Sequence, residues 1–223
     1  MTAAGGIGVL GGSFNPVHFG HLRAAEEVRE SQALDEMLLV PAAAPPHKDA
    51  RGLAPADHRL RMLELAVAER AGLRVVRLEL DRPGPSYSID TLRALRAEIG
   101  RTRLVFAVGW DAFRDLGTWK EHADIFATCD VVVVTRPPGP TRLTIDDIPV
   151  AARETFCYDP SSESFRHASG HVLSLQHITA LDISAAAIRA RVAAGRSIRF
   201  LVPAAVERYI EAHHLYRPGD IAR

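Results

Sequence analysis

The stretch Gly8-Val-Leu-Gly-Gly-Ser-Phe-Asn-Pro-Val-His-Phe-Gly-His-Leu22 runs from an apolar strand ending near Leu10 into a helix that carries Ala24, Ala25 and Val28. Between them lie Gly11, Gly12, Ser13, Phe14 and a turn at Asn15-Pro16. Glycines let the backbone approach a ligand closely, and a helix start offers unpaired N–H groups with a partial positive charge. Such a turn is a phosphate cradle. Within it, His18-Phe-Gly20-His21 sets two imidazoles three residues apart on neighbouring turns of one helix face. An isolated histidine there would be a cap or a packing residue; this pair, behind two glycines, points to donors aimed at an anion.

Outward from that turn, strand and helix patterns alternate along the chain. The helix extends to about Gln32, and Met37-Leu-Leu-Val40, closed by Pro41, has the continuous apolar character of a strand buried on both faces. Residues 41 to 55, rich in alanine and proline, form a loop containing Pro45-Pro46-His47-Lys48. A helix capped by Asp57 and stopped by Gly72 follows. Val76, Leu78 and Leu80 then alternate with Arg77 and Glu79, which predicts a strand with one dry and one wet face.

The loop from Asp81 feeds a helix that Ser88 is expected to cap, with Ile89, Leu92, Leu95 and Ile99 along one side. Leu104 to Val108 and Val131 to Val134 are further strands, separated by Gly109-Trp-Asp-Ala-Phe113, a turn from Leu116 to Trp119 and a short helix over about 120 to 127. Residues 138 to 171 are rich in Pro, Ser, Asp and Glu and predict an irregular insertion. A last strand, 172 to 175, leads into a C-terminal helical part, 184 to 216: one helix capped within Asp182-Ile-Ser184 and another opened by Pro203. The end, 217 to 223, is expected to fray.

Alternating strands and helices predict an α/β fold: a Rossmann-like, open, mostly parallel sheet with helices on both faces, forming a single domain over residues 1 to 223. In such sheets ligands sit at the carboxyl ends of the strands. The unusual residues of this chain fall in those loops: 11 to 21, 45 to 48, 86 to 91, 109 to 119, and Arg136.

Composition sets the outer bounds. The 223 residues are 47% hydrophobic, enough for a full core, and 27 basic residues balance 27 acidic ones, so no overall basic bias points to nucleic acid. Cys129 and Cys157 are too few for a disulfide framework and lack zinc spacing; both are expected to pack. The N-terminus lacks the pattern of a signal peptide, and no apolar run approaches the ~20 residues of a membrane span, so a cytoplasmic protein without a membrane partner is expected.

Six motifs occur in order: the glycine turn with His18 and His21, Pro-Pro-His-Lys48, Ser86-Tyr-Ser-Ile-Asp-Thr-Leu92, Gly109-x-Asp-Ala-Phe113 with Trp119, Arg136-Pro137 after the valine strand, and Ile183-Ser-Ala-Ala-Ala-Ile-Arg189. Together they resemble the bacterial nicotinate-nucleotide adenylyltransferases of the HxGH nucleotidyltransferase superfamily. The resemblance implies adenylyl transfer from ATP to nicotinate mononucleotide, with Mg²⁺ entering alongside the triphosphate and no metal held by protein ligands alone. It leaves three alternatives in view: nicotinamide mononucleotide as acceptor, another acceptor such as phosphopantetheine, or a nucleotide-binding regulator without turnover. A homo-oligomer is compatible with each.

Site roles follow from the same resemblance together with side-chain chemistry. His18, His21, Lys48 and Arg189 are the catalytic candidates. The ATP site adds Gly11, Gly12, Ser13, Phe14, Gly20, Gly109, Asp111, Ile183 and Ser184. Ser184 is equally an ordinary helix cap, whereas Arg189 can fork onto phosphate oxygens. His47 and Lys48 would close over the phosphates. Arg136, at the end of a buried strand where an unpaired charge would be costly, is expected to bind the mononucleotide phosphate. Trp119 offers a flat surface for a pyridine ring, with core packing as its other role, and Tyr87, Ser88 and Thr91 line the same acceptor pocket. Arg59 is either an exposed residue at a helix start or a group near the substrates. Three positions depart from the family pattern: Ala186 replaces a hydroxyl residue, Trp110 a small one, and Asn15 an aspartate.

Overall fold

The computed structural model describes residues 5–44 and 52–217. Among these residues eight strands form one sheet: β1 (Ile7–Gly12), β2 (Glu36–Pro41), β3 (Leu73–Val75), β4 (Leu104–Gly109), β5 (Asp130–Thr135), β6 (Phe156–Asp159), β7 (Ser164–His167) and β8 (Val172–His177). Their spatial order is β3-β2-β1-β4-β5-β8-β7-β6. The first six in that order are parallel, and β7 and β6 add an antiparallel edge.

Among the described residues seven helices accompany them: α1 (Phe19–Ser31), α2 (Ala56–Val67), α3 (Ser88–Ile99), α4 (Trp110–Arg114), α5 (His122–Thr128), α6 (Ala185–Ala193) and α7 (Ala204–Ala212). The continuous apolar strands separate their side chains into two cores because successive residues point to opposite faces. Met37, Leu39, Val105, Ala107, Val132 and Val134 pack with α1, α2, α6 and α7. Leu38, Val40, Phe106, Val108, Val131 and Val133 pack with α3, α4 and α5 on the other face. Two dry faces therefore require uninterrupted apolar runs, as the sequence has.

The crossover direction reverses between β1 and β4, and the loops leaving Gly12 and Gly109 flank a crevice at the strands' carboxyl ends. That crevice sets the position of the candidate site.

Three expectations are corrected. The strand expected at 76 to 80 is instead β3 at Leu73–Val75; the Leu80 and Asp81 N–H groups bond to the Arg77 carbonyl, turning the chain there. Glu79, assigned to a wet face, is buried by that turn. The insertion at 138 to 171 holds two 3-10 turns and the β6–β7 hairpin, whose Phe156 and Phe165 pack into the second core. Cys129 packs as expected and burial pushes its thiol up to about 12, but Cys157 is exposed on the edge strand. Among the described residues no helix is long and apolar enough to cross a membrane.

Candidate active site

The glycine turn is shaped by the side chains folded onto it. Phe14 is fully buried at φ 44°, and a Cβ on Gly12 would lie 3.3 Å from its ring, while Gly11 faces open space. Gly12 thus admits the phenylalanine, and Gly11 leaves the approach clear for a ligand.

His18 occupies the N-cap of α1 with extended backbone, and its ring stacks on that of His21 with centroids 3.7 Å apart. The His18 backbone N–H donates to His21 Nδ1 at 3.3 Å. With Nδ1 accepting this bond, the ring proton of a neutral His21 sits on Nε2. His18 is buried, and burial together with the positive charge of Arg136 lowers its pKa to about 4. It is therefore a neutral ring at physiological pH. Its Nδ1 has no hydrogen-bond partner among the described residues. A Cβ on Gly20 would sit 3.0 Å from that same nitrogen, so the glycine of the motif makes room for the ring.

Arg189 reaches across from α6 and donates to the Asn15 carbonyl at 2.8 Å. No other partner holds its guanidinium among the described residues, so further N–H groups remain for an anion. Ser184 caps α6, its Oγ accepting from the Ala187 N–H at 3.1 Å. The Ile183 carbonyl lies 3.7 Å from where a Gly20 Cβ would stand, which brings the second motif against the first. Arg136 is exposed at the end of β5, donates to the Leu181 carbonyl, and bears on His18 through its charge. It is neither buried nor tied into an internal ion pair among the described residues. Gly109 opens α4 with nothing over its Cα, and Asp111 is exposed in the first turn.

The acceptor loops are assembled differently. Tyr87, not Ser88, is the N-cap of α3, and Ser88 is the first helical residue. Lys120 lies 5.1 Å from the centre of the Tyr87 ring and pairs with Asp90 at 2.9 Å. Trp119 is half-buried and leans against Phe106 with ring centroids 6.5 Å apart. Thr91 corrects the expected pocket lining. It is buried, and its hydroxyl donates to Glu79 at 2.7 Å because the turn at 77 to 81 brings that carboxylate inside. Arg82 donates to the same hydroxyl oxygen at 3.2 Å. His47 and Lys48 lie outside the described residues.

Arg59 is 1% exposed and bonds to the carbonyls of Ser13, Ala42, Ala43 and Ala54. It braces the glycine turn against the loop after β2 and is not exposed. Asn15 is also buried: its Nδ2 donates to the Gly52 carbonyl at 2.7 Å, and its Oδ1 accepts from the Ala54 N–H and the Tyr216 hydroxyl at 3.1 and 2.8 Å. An aspartate could not donate to Gly52, so asparagine suits this setting. The partners of Arg59 and Asn15 are mostly backbone groups remote in the chain, and those of Glu79 and Tyr216 are side chains that the fold brings near, so none of these bonds leaves a local pattern in the sequence. No group of three or more His, Cys, Asp or Glu side chains placed to hold a metal occurs among the described residues.

A mostly parallel sheet with this reversal, a stacked histidine pair at a helix start and an arginine opposite define a nucleotidyltransferase-like site, and residues 9–191 match the cytidylyltransferase-like family model. The chain is 47% identical to the "Probable nicotinate-nucleotide adenylyltransferase" of Syntrophotalea carbinolica, covering 96% of this chain and 98% of that protein. It is 48% identical to the protein of the same name from Geobacter sp. strain M21, over 94% and 97% of the respective chains. The chain belongs to the nicotinate-nucleotide adenylyltransferase family. A solved structure described as Plasmodium falciparum nicotinic acid mononucleotide adenylyltransferase complexed with NaAD shares the fold at TM-score 0.71 and 17% identity, over 96% of this chain and 97% of that one.

Proposed function

We propose that the protein transfers the adenylyl group of ATP to nicotinate mononucleotide, giving nicotinate adenine dinucleotide and pyrophosphate. The observation that carries this is the stacked His18–His21 pair at the start of α1, its His18 ring neutral through burial, with Arg189 docked on the same turn through Asn15. A phosphate oxygen of the mononucleotide attacks the α-phosphorus of ATP; the new P–O bond forms as the bond to the pyrophosphate oxygen breaks. The nucleophile is already an anion, so no general base is required. Catalysis is positioning together with stabilisation of charge on the nonbridging and leaving oxygens.

His21 Nε2–H, the N–H groups around Gly11 to Phe14 and the α1 start supply directional donors, and Arg189 supplies a charged fork. Gly109, Asp111, Ile183 and Ser184 complete the ATP side. Tyr87, Ser88, Trp119 and Arg136 take the acceptor, and Thr91 supports them from behind. Mg²⁺ is carried in on the triphosphate, where it offsets charge. Because the chain leaving β1, β4, β5 and β8 supplies most of these groups, the described residues act as one nucleotidyltransferase domain.

The substrate assignment draws on the names borne by the relatives. Its test is pyrophosphate release from ATP and Mg²⁺ with nicotinate mononucleotide, nicotinamide mononucleotide or phosphopantetheine in turn. Release is expected to be fastest with nicotinate mononucleotide. Faster turnover of the amide or of phosphopantetheine would replace the acceptor, and no release with any of them would reduce the protein to nucleotide binding.

A further inference from the structure

Beside the catalytic groups, a buried polar cluster lies under the glycine turn. Its centre is Asn15. Donors and acceptors around the amide determine its orientation: Oδ1 faces the Ala54 N–H and the Tyr216 hydroxyl, and Nδ2–H faces the Gly52 carbonyl. The Asn15 backbone carbonyl meanwhile accepts from Arg189. From Asn15 the chain passes through buried Pro16 and Val17 directly to His18, with no exposed residue between. A shift of Asn15 is therefore passed to both His18 and Arg189.

We propose that Tyr216 is a positioning residue for adenylyl transfer, acting through Asn15 to fix His18, His21 and Arg189 relative to one another. Tyr216 is buried, lies 201 residues from Asn15 in the chain, and contributes the only side-chain donor to the amide oxygen among the described residues. Removing its hydroxyl leaves the ring in the core and leaves Oδ1 with the Ala54 N–H alone. The amide is then free to shift, and the turn above it with it. Small displacements of groups that act in the transition state reduce turnover more than they reduce substrate binding.

This inference rests on the adenylyl-transfer reading, and the experiment separates the two. Wild-type protein, Tyr216→Phe, Asn15→Ala and the double variant are compared for kcat and for the KM of ATP and of nicotinate mononucleotide, with thermal unfolding midpoints alongside. Tyr216→Phe is expected to lower kcat about tenfold while both KM values stay within about twofold and the protein remains folded at the assay temperature. Asn15→Ala is expected to lower kcat further, and adding Tyr216→Phe to it to change nothing more. A wild-type kcat in Tyr216→Phe, a change confined to KM, or kcat losses that multiply in the double variant would each overturn the positioning role. A wild-type protein that releases no pyrophosphate would overturn adenylyl transfer itself, and the positioning role with it.

Discussion

The two halves of the site are held by different kinds of interaction. Under the phosphate half, Asn15 and Arg59 are buried and bonded to backbone groups from several loops. Around the acceptor half, Tyr87 and Trp119 are half-buried, and Lys120 pairs with Asp90 across a partly exposed surface. Exposed pairs of that kind contribute about 0–1 kcal/mol, whereas stranding one partner of a buried hydrogen bond costs roughly 1–3 kcal/mol. On the proposed reading, the half that would handle the reacting phosphorus is held by buried hydrogen bonds, and the half that would take the second nucleotide is held by more exposed contacts.

If that contrast holds, substitutions in the first half should act on turnover and those in the second on acceptor affinity. The largest effect is expected from His21→Ala, which removes a preorganised donor and should lower kcat by about 10²–10³ with folding intact; steady-state kinetics beside a thermal melt checks it. An unchanged rate would make His21 a packing residue.

A second effect is electrostatic and appears in stability. Burial, and then the charge of Arg136, hold His18 at about 4 in the folded protein, against 6.5 for an ordinary histidine. Between those values the unfolded chain binds the proton more readily, so stability falls as pH drops from 6.5 towards 4 and is fully present above 6.5. The loss attributable to this group is on the order of 3 kcal/mol. Denaturant titrations across that range should show a shallower slope for His18→Gln than for the wild type, and equal slopes would mean that the ring is solvated. The smallest effect is expected from Trp119→Ala: about a tenfold rise in the KM for the mononucleotide, with the KM for ATP unchanged. A rise in the ATP value instead would move Trp119 to the donor half.

How far the site could be read from sequence follows the same division. The Gly11–His21 turn and the strands β1, β2, β4, β5 and β8 have local signatures, because two-sided burial and a helix start impose composition on adjacent residues. The 76 to 80 segment misleads because its alternation reflects a turn that buries Glu79, and the pattern alone does not distinguish a turn from a strand. The β6–β7 hairpin is short and mostly polar, and its two core phenylalanines, Phe156 and Phe165, are too widely separated to stand out. Arg59 and Tyr216 are illegible for a different reason. Their partners are mainly carbonyls and an amide brought near by the fold, which leave no pattern beside them in the chain.

The long reach of the bonds to Asn15 also bears on how the protein is made. Arg189 and Tyr216 follow Asn15 by 174 and 201 residues. At synthesis rates of about 5–20 residues per second, the opening turn is in place roughly 10–40 seconds before its tyrosine exists. For most of that interval a nascent chain carries the glycine turn and both histidines without Arg189, and for all of it without Tyr216. Competence for the proposed phosphate chemistry thus waits on residues synthesised long after the turn that announces it.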